Sequence, residues 1–193
     1  MKKVLALIVV VMLAATVFSG CKKEAAQGTV KTGLGVITSI ANSKDSAEED
    51  GLAEMYSTIV AVTVDKDGKI VKCVIDAAQT KVNFSKEGKL TTPLTNEFKT
   101  KNELGLAYNM KGVSGIKKEW NEQAAAFADY VEGKTASQVA GIAVDEAKHP
   151  TGSDLKSSVT VSVGDFIAGV QKAVTNAKDY GAQADGTGRN HQH

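Results

Sequence analysis

Two β-branched segments joined by a four-residue turn constrain the fold more than any other feature of the chain. Residues 56–64 (YSTIVAVTV) and 69–75 (KIVKCVI) have the composition of strands, and the DKDG turn at 65–68 ends in a glycine suited to a positive φ. A connection this short joins antiparallel strands only. The sequence therefore predicts a β-hairpin with a sheet built around it.

One clear further strand and three helices are predicted around the hairpin, and residues 82–90 are a second candidate strand. Residues 30–40 are β-branched and predict the first strand, while apolar residues at helical spacing predict helices over 116–131, 136–143 and 163–177. Most strands come before the helices. The predicted fold class is therefore α+β, with a small, twisted, mainly antiparallel sheet and helices packed on one face.

The start of the last predicted helix is unusually rich in hydroxyls. In the stretch DLKSSVTVSVGDF, Ser162 is the natural N-cap with Asp165 as its partner, and Ser157, Ser158 and Thr160 precede it. One capping side chain is enough for a helix. Because a helix N-terminus has unpaired amides and attracts phosphate, a hydroxyl beside it, above all that of Thr160, is suited to carry a phosphoester.

The N-terminal residues have the features of an export signal. Two lysines precede an uncharged apolar run over 4–17, which is shorter than the about 20 residues of a membrane span. The sequence FSGC that ends at Cys21 resembles a bacterial lipobox. The resemblance implies a lipoprotein signal peptide over 1–20, cleavage before Cys21 and diacylglycerol on its sulfur. An ordinary secretory signal with a chance cysteine is the alternative.

The predicted organisation is one anchored domain. A polar lipidated tether covers 21–30, a single α+β domain covers 31–181, and a disordered tail covers 182–193. Membrane lipid is thus an expected partner, through acylated Cys21, and the expected location is the outer face of the cell membrane. A net charge of +1 with 5% aromatic residues gives no footprint for nucleic acid.

Few residues offer catalytic or metal chemistry. Cys73 is the only cysteine after Cys21, so no internal disulfide is expected, and its place among aliphatic residues predicts a buried structural thiol. The turn at 65–68 begins like a calcium loop, but Asp76 stands where the bidentate glutamate belongs. His149 is alone in a loop, and no hydrolase or nucleotide-binding motif is present. Redox chemistry would therefore require an organic cofactor.

The heptapeptide DLKSSVT at 154–160 resembles a motif of bacterial FMN-binding domains, Asp-x-x-Ser/Thr-Gly-Ala-Thr, found in surface and membrane electron-transfer proteins. Asp154, Ser157 and Thr160 agree in type and spacing, whereas Ser158 stands in place of the usual glycine and Val159 in place of the usual alanine. In that family a separate flavin transferase joins the final threonine to FMN through its phosphate. The resemblance implies that Thr160 would carry FMN.

The likeness covers most of residues 30–178, including the first strand, the hairpin over 62–76 and the last helix. The segment 103–143 is similar to versions in lipoproteins of Gram-positive anaerobes. The resemblance implies that Asp154 assists the transferase by helping to position a metal. It also implies that Ser157, Ser158, Ser162 and the amides after Ser162 surround the phosphate.

Two functional hypotheses follow. In the first, the chain is a redox carrier of FMN, not an enzyme with its own substrate, and it exchanges electrons with redox partner proteins. In the second, it is a non-redox binding or structural surface lipoprotein on the same scaffold with a decayed flavin site. The conformation of Ser158 discriminates between them, since a required positive φ would demand glycine. A solute-capturing lipoprotein is a third hypothesis, although those proteins are usually larger and two-lobed.

Overall fold

The computed structural model describes residues 29–184. The predicted signal peptide and Cys21 lie outside the described residues, as does the predicted tail beyond residue 184. The strands are β1 (Val30–Ser39), β2 (Gly51–Val64), β3 (Ile70–Phe84) and β4 (Ala182–Ala184), and the helices are α1 (Lys101–Leu104), α2 (Trp120–Val131), α3 (Ala136–Ala140), α4 (Ser153–Lys156) and α5 (Gly164–Tyr180). A 3₁₀ helix, Gly105–Tyr108, follows α1.

The α+β prediction is confirmed, because the strands form one antiparallel sheet in the order β3-β2-β1-β4 and the longer helices pack against it. The β2–β3 hairpin closes through Asp65, whose Oδ1 accepts hydrogen bonds from the amides of Asp67 and Lys69, and Gly68 has a φ of 75°. Both hairpin strands are longer than predicted. Residues 51–55 of β2 pair with residues 80–84 of β3, and residues 76–81 of β3 are mostly polar, so their composition did not indicate a strand.

A β-bulge changes the side-chain alternation at the start of β3. Val64 pairs with Ile70 and Thr63 with Lys72, which leaves Val71 without a partner. Ile70 is therefore buried with Cys73, although strict alternation predicted that the two face opposite ways. The expectation that Cys73 is a buried free thiol is confirmed.

Helix α5 lies very close to β1. A Cβ atom added to Gly33 would overlap the backbone of Ala173 and Ala177, and one added to Gly35 would overlap the carbonyl oxygen of Gly169. The two glycines thus allow the helix axis to approach the strand. On the same helix, the side chains of Lys172 and Asn176 donate to carbonyl oxygens of β1. They satisfy part of a strand edge that the short β4 does not reach.

Helix α2 covers β3 and supplies the aromatic part of the core. It begins at Trp120, four residues later than predicted, because Glu119 caps it in a reciprocal box with Glu122 and Lys117 just before has a φ of 55°. Phe166 of α5 makes edge-to-face contacts with Trp120 and Phe127 at centroid distances of 5.7 and 5.4 Å.

Two further boundaries of secondary-structure elements differ from those predicted. Residues 182–184, expected to begin the disordered tail, form β4 and pair with residues 30–32 of β1. Helix α3 ends at Ala140 and not at 143, although its predicted capping box between Thr135 and Gln138 is present. Within residues 29–184, no helix has the length and apolarity needed to cross a bilayer.

Candidate functional site

The residues at the start of the motif form the short helix α4. Asp154 lies in its first turn, where its Oδ1 accepts a hydrogen bond from the amide of Leu155 at 2.9 Å. Ser157 Oγ donates to the carbonyl oxygen of Asp154, and Ser158 Oγ donates to that of Leu155, both at 3.1 Å. The two serine hydroxyls therefore satisfy carbonyls at the end of this helix.

The two bulkier motif positions fit the backbone without strain. Among the described residues, positive φ values outside glycine occur only at Asn109, Lys117 and Lys148, so Ser158 does not require glycine. Val159 is fully buried in the core. The larger side chain at 159 thus contributes to packing and anchors the loop that follows.

Thr160 is fixed to helix α2 by one buried side chain. The Oε1 atom of Gln123 accepts hydrogen bonds from the Thr160 amide at 2.8 Å, the Thr160 hydroxyl at 3.1 Å and the Val161 amide at 3.2 Å. Gln123 is completely buried, and its Nε2 donates to Ser114 Oγ and to the carbonyl oxygen of Lys118. Thr160 itself is half-buried.

The prediction that Ser162 caps the last helix is wrong. Helix α5 begins one residue later than expected, with Val163 at the N-cap and no side chain bonding its first amides. Val163 is fully buried, and its amide donates to the carbonyl oxygen of Lys148 at 2.8 Å. Burial of this valine determines where the helix begins and moves Ser162 out of the capping position.

A cavity of about 380 Å³ lies at this end of α5, lined by Ser39, Ala41, Asn42, Tyr56, Thr58, Trp120, Lys148, Ser162, Gly164, Asp165 and Phe166. In the described part of the chain, the amides of Gly164, Asp165 and Phe166 have no hydrogen-bond acceptor. Of the five predicted cofactor residues, the cavity includes Ser162 only. Asp154, Ser157, Ser158 and Thr160 lie outside its lining, on the chain that leads to it.

Thr58 is the most unusual polar group of the cavity. It lies on the inner face of β2 between Tyr56 and Val60, paired in register with Ile37 and Ala77. Its side chain is fully buried, and its Oγ1 makes no hydrogen bond of standard geometry within residues 29–184, although it lies close enough to the Tyr56 hydroxyl to offset part of the rise that burial causes in the pKa of that phenol. An unpaired buried hydroxyl costs stability, so this group requires an explanation.

A buried lysine lies behind the cavity wall. Lys101 Nζ is 4.7, 4.6 and 4.9 Å from the ring centroids of Tyr56, Tyr108 and Trp120, and it donates to the Tyr56 hydroxyl at 3.0 Å. Burial lowers the pKa of Lys101 to about 8, and burial raises the pKa of Tyr56 to about 12. The aromatic faces stabilise the charged amine. No pattern in the sequence near residue 101 indicates this cluster.

A second buried charge lies two residues from Tyr56 on β2. The Glu54 carboxylate accepts hydrogen bonds from Asn42 at 2.8 Å and Gln79 at 3.0 Å, and lies 3.5 Å from Lys81 Nζ. The hydrogen bond from Asn42 is the main cause that lowers the pKa of Glu54. This arrangement holds the 39–43 loop, which forms one rim of the cavity, against the sheet.

The other two residues considered for chemistry, His149 and Cys73, have surroundings that point to structural roles. The His149 ring lies 3.3 Å from Asp145 in an exposed turn, and burial raises the pKa of Cys73 to about 12, which makes it an inert thiol. Across residues 29–184, no group of three or more histidine, cysteine and carboxylate side chains is placed to hold a metal ion.

In comparisons with known proteins, no family model, no curated protein and no solved structure matches the chain. The function is therefore argued from the site itself.

Proposed function

We propose that this chain is an extracytoplasmic lipoprotein, anchored through Cys21, that carries FMN joined through its phosphate to Thr160 and exchanges electrons with redox partner proteins. One observation supports this proposal most. The half-buried Thr160 lies on the loop that leads into α5, a 17-residue helix whose first three amides have no acceptor in the described residues.

Those amides suit a phosphate. They lie at the positive end of the helix dipole, which stabilises a negative charge close to the first turn. The Lys148 side chain passes beside Gly164, since a Cβ at Gly164 would be 3.1 Å from Lys148 Cγ. Asp165 opposes an anion here, so the amides and Lys148 must together outweigh its carboxylate.

The attachment step requires an outside enzyme and a flavin dinucleotide donor. The Thr160 oxygen would lose its proton and form the ester bond to phosphorus, while a nucleoside monophosphate leaves with the electrons of the broken anhydride bond. In this structure Asp154 is on the surface of α4, where a transferase could use it. FMN would supply the electron-transfer chemistry, and the chain's own residues would bind it and limit its contact with water.

A non-redox binding or structural lipoprotein is the second candidate, and one observation favours it. The Thr160 hydroxyl already donates to Gln123, and an ester oxygen could no longer donate that hydrogen bond. The two amide bonds to Gln123 would remain after esterification. The loss is thus one hydrogen bond of about 1 kcal/mol, which disfavours attachment without preventing it.

Co-expression of residues 22–193 with a flavin transferase distinguishes the candidates, with intact mass and in-gel flavin fluorescence as readouts. The first candidate predicts one flavin adduct in the wild type and in Thr160→Ser, which keeps the hydroxyl, and none in Thr160→Ala. An unmodified wild-type protein beside a modified positive control would favour the second candidate.

A further inference from the structure

We propose that the cavity at the start of α5 is a non-covalent binding site for a planar aromatic anion, that Thr58 recognises this ligand, and that binding there needs no ester at Thr160. FMN belongs to this ligand class. Its choice as the natural ligand rests on the proposed function, whereas the site itself stands on the residues that line it.

Thr58 is the first argument for a ligand. The residue lines the cavity, and its fully buried hydroxyl makes no hydrogen bond of standard geometry within residues 29–184, with the Tyr56 hydroxyl as its polar neighbour. Valine has nearly the same shape and would avoid the cost of burying an unpaired hydroxyl. A ligand atom that bonds to Oγ1 would remove that cost, so the hydroxyl is explained by binding.

The walls determine the shape of the ligand. Tyr56, Trp120 and Phe166 border the cavity, and the Trp120 and Phe166 rings meet at 82°. Because Trp120 and Phe166 are 3% and 2% exposed, each offers only a small part of its ring to a ligand, which suits edge contacts with a flat ring. A volume of about 380 Å³ lies in the range of small-molecule sites.

Electrostatics determine the charge of the ligand. The free amides of Gly164, Asp165 and Phe166 point the positive end of α5 at the cavity, and Lys148 lies beside them. Lys101 adds a buried ammonium group behind Tyr56 and Trp120. Asp165 is the only carboxylate in the lining, whereas behind the wall the charge of Glu54 opposes that of Lys101. The attraction for an anion therefore comes mainly from the helix amides and Lys148.

Trp120 is an intrinsic fluorescent probe of the cavity, because it is the only tryptophan in the chain and forms part of the cavity wall. The purified full-length chain, made without a flavin transferase, is titrated with FMN, with riboflavin and with inorganic phosphate. The expected result is saturable quenching of Trp120 fluorescence by FMN and weaker binding of riboflavin, which lacks the anion. Phosphate is expected to compete with FMN.

Two variants test the role of Thr58 in this site. Thr58→Val is expected to raise the Kd for FMN about tenfold, the value of one lost hydrogen bond, while the melting temperature stays the same or rises. Thr32→Val, which changes an exposed threonine bonded to Thr63 on the other face of the sheet, is the matched control and should leave this Kd unchanged.

Absence of saturable quenching by both flavins would overturn the proposal, as would an unchanged Kd in Thr58→Val. These failures differ from failure of the proposed function, which is read from covalent mass. Saturable FMN binding with no covalent adduct would support the non-covalent site and contradict attachment at Thr160. A covalent adduct in a protein that does not bind free FMN would support attachment and contradict the non-covalent site.

Discussion

Gln123 holds Thr160 through two hydrogen bonds to a single atom, since the amide and the hydroxyl of Thr160 both donate to Gln123 Oε1. The contact joins residues 37 positions apart and connects α2 to the loop before α5. It determines how far the Thr160 hydroxyl is free to react. The buried amide of Gln123 is therefore as important for the candidate site as the motif itself.

Removal of the Gln123 amide is expected to destabilise the protein strongly. Gln123→Met keeps the volume but leaves the amides of Thr160 and Val161 and the Thr160 hydroxyl without their acceptor, which should cost about 3 kcal/mol. Thr160→Val loses only the hydroxyl bond and should cost about 1 kcal/mol. Urea unfolding measures both, and equal losses would show that the acceptor serves only the hydroxyl.

Lys101 should make stability depend on pH in the alkaline range. Because burial lowers its pKa to about 8, the folded protein gives up the proton at lower pH than the unfolded chain, whose pKa stays near 10.5. Stability from this residue is thus lowest below pH 8 and increases as pH rises from 8 toward 10.5.

The test compares the wild type with Lys101→Met at pH 7 and pH 9. From pH 7 to pH 9, the unfolding free energy of the wild type should rise by about 1 kcal/mol relative to that of the variant. This rise is smaller than burial alone would give, because solvent screening and the aromatic rings favour the charged amine. Titration of Cys73 occurs in both proteins and cancels. A difference that does not change with pH would contradict this account of Lys101.

Glu54 should make the stability of the protein depend on pH in the acid range. Hydrogen bonds, first from Asn42, hold the pKa of Glu54 below its ordinary value of 4.5, so its contribution is complete above that value and is lost as pH falls through the lower pKa of the folded state. Glu54→Gln should therefore be less stable than the wild type at pH 6, and the difference should shrink toward pH 3. Glu49→Gln, in an exposed loop, is the control and should have the same stability as the wild type at both pH values.

The close contact of β1 and α5 makes Gly35 sensitive to substitution. Gly35→Ala would bring a methyl group into the Gly169 carbonyl oxygen and should destabilise the protein by about 2 to 3 kcal/mol. Gly112→Ala is the matched control, because nothing lies within 4 Å of its added methyl group, and should stay within about 0.5 kcal/mol. Similar melting temperatures for the two variants would contradict the packing described.

Local patterns predicted much of the fold. The DKDG turn, the strand at 30–40 and the capping box at Thr135 depend on residues close in sequence, and all three are present. The start of α5 was wrong because burial of Val163 outweighed the capping preference of Ser162. The bulge at Val71 likewise depends on pairing with β2, which alternation within one strand does not indicate.

The site was harder to predict, since its key contacts join distant segments. Lys101 and Tyr56 are 45 positions apart, and residues near 101 had no clear helical or strand pattern. The sequence does contain an indication of the role of Gln123. It lies between Trp120 and Phe127 on the apolar face of a predicted helix, and a buried amide there must find hydrogen-bond partners elsewhere in the fold.

The central claim, that Thr160 carries FMN, is tested most directly by peptide mapping after co-expression with a flavin transferase. Trypsin cleavage after Lys156 and Lys172 gives a peptide that contains Thr160 together with Ser157, Ser158 and Ser162. The account predicts one flavin on this peptide, with fragment ions that assign it to Thr160. An unmodified peptide, or a flavin on one of the serines, beside a fully modified positive-control protein would contradict it.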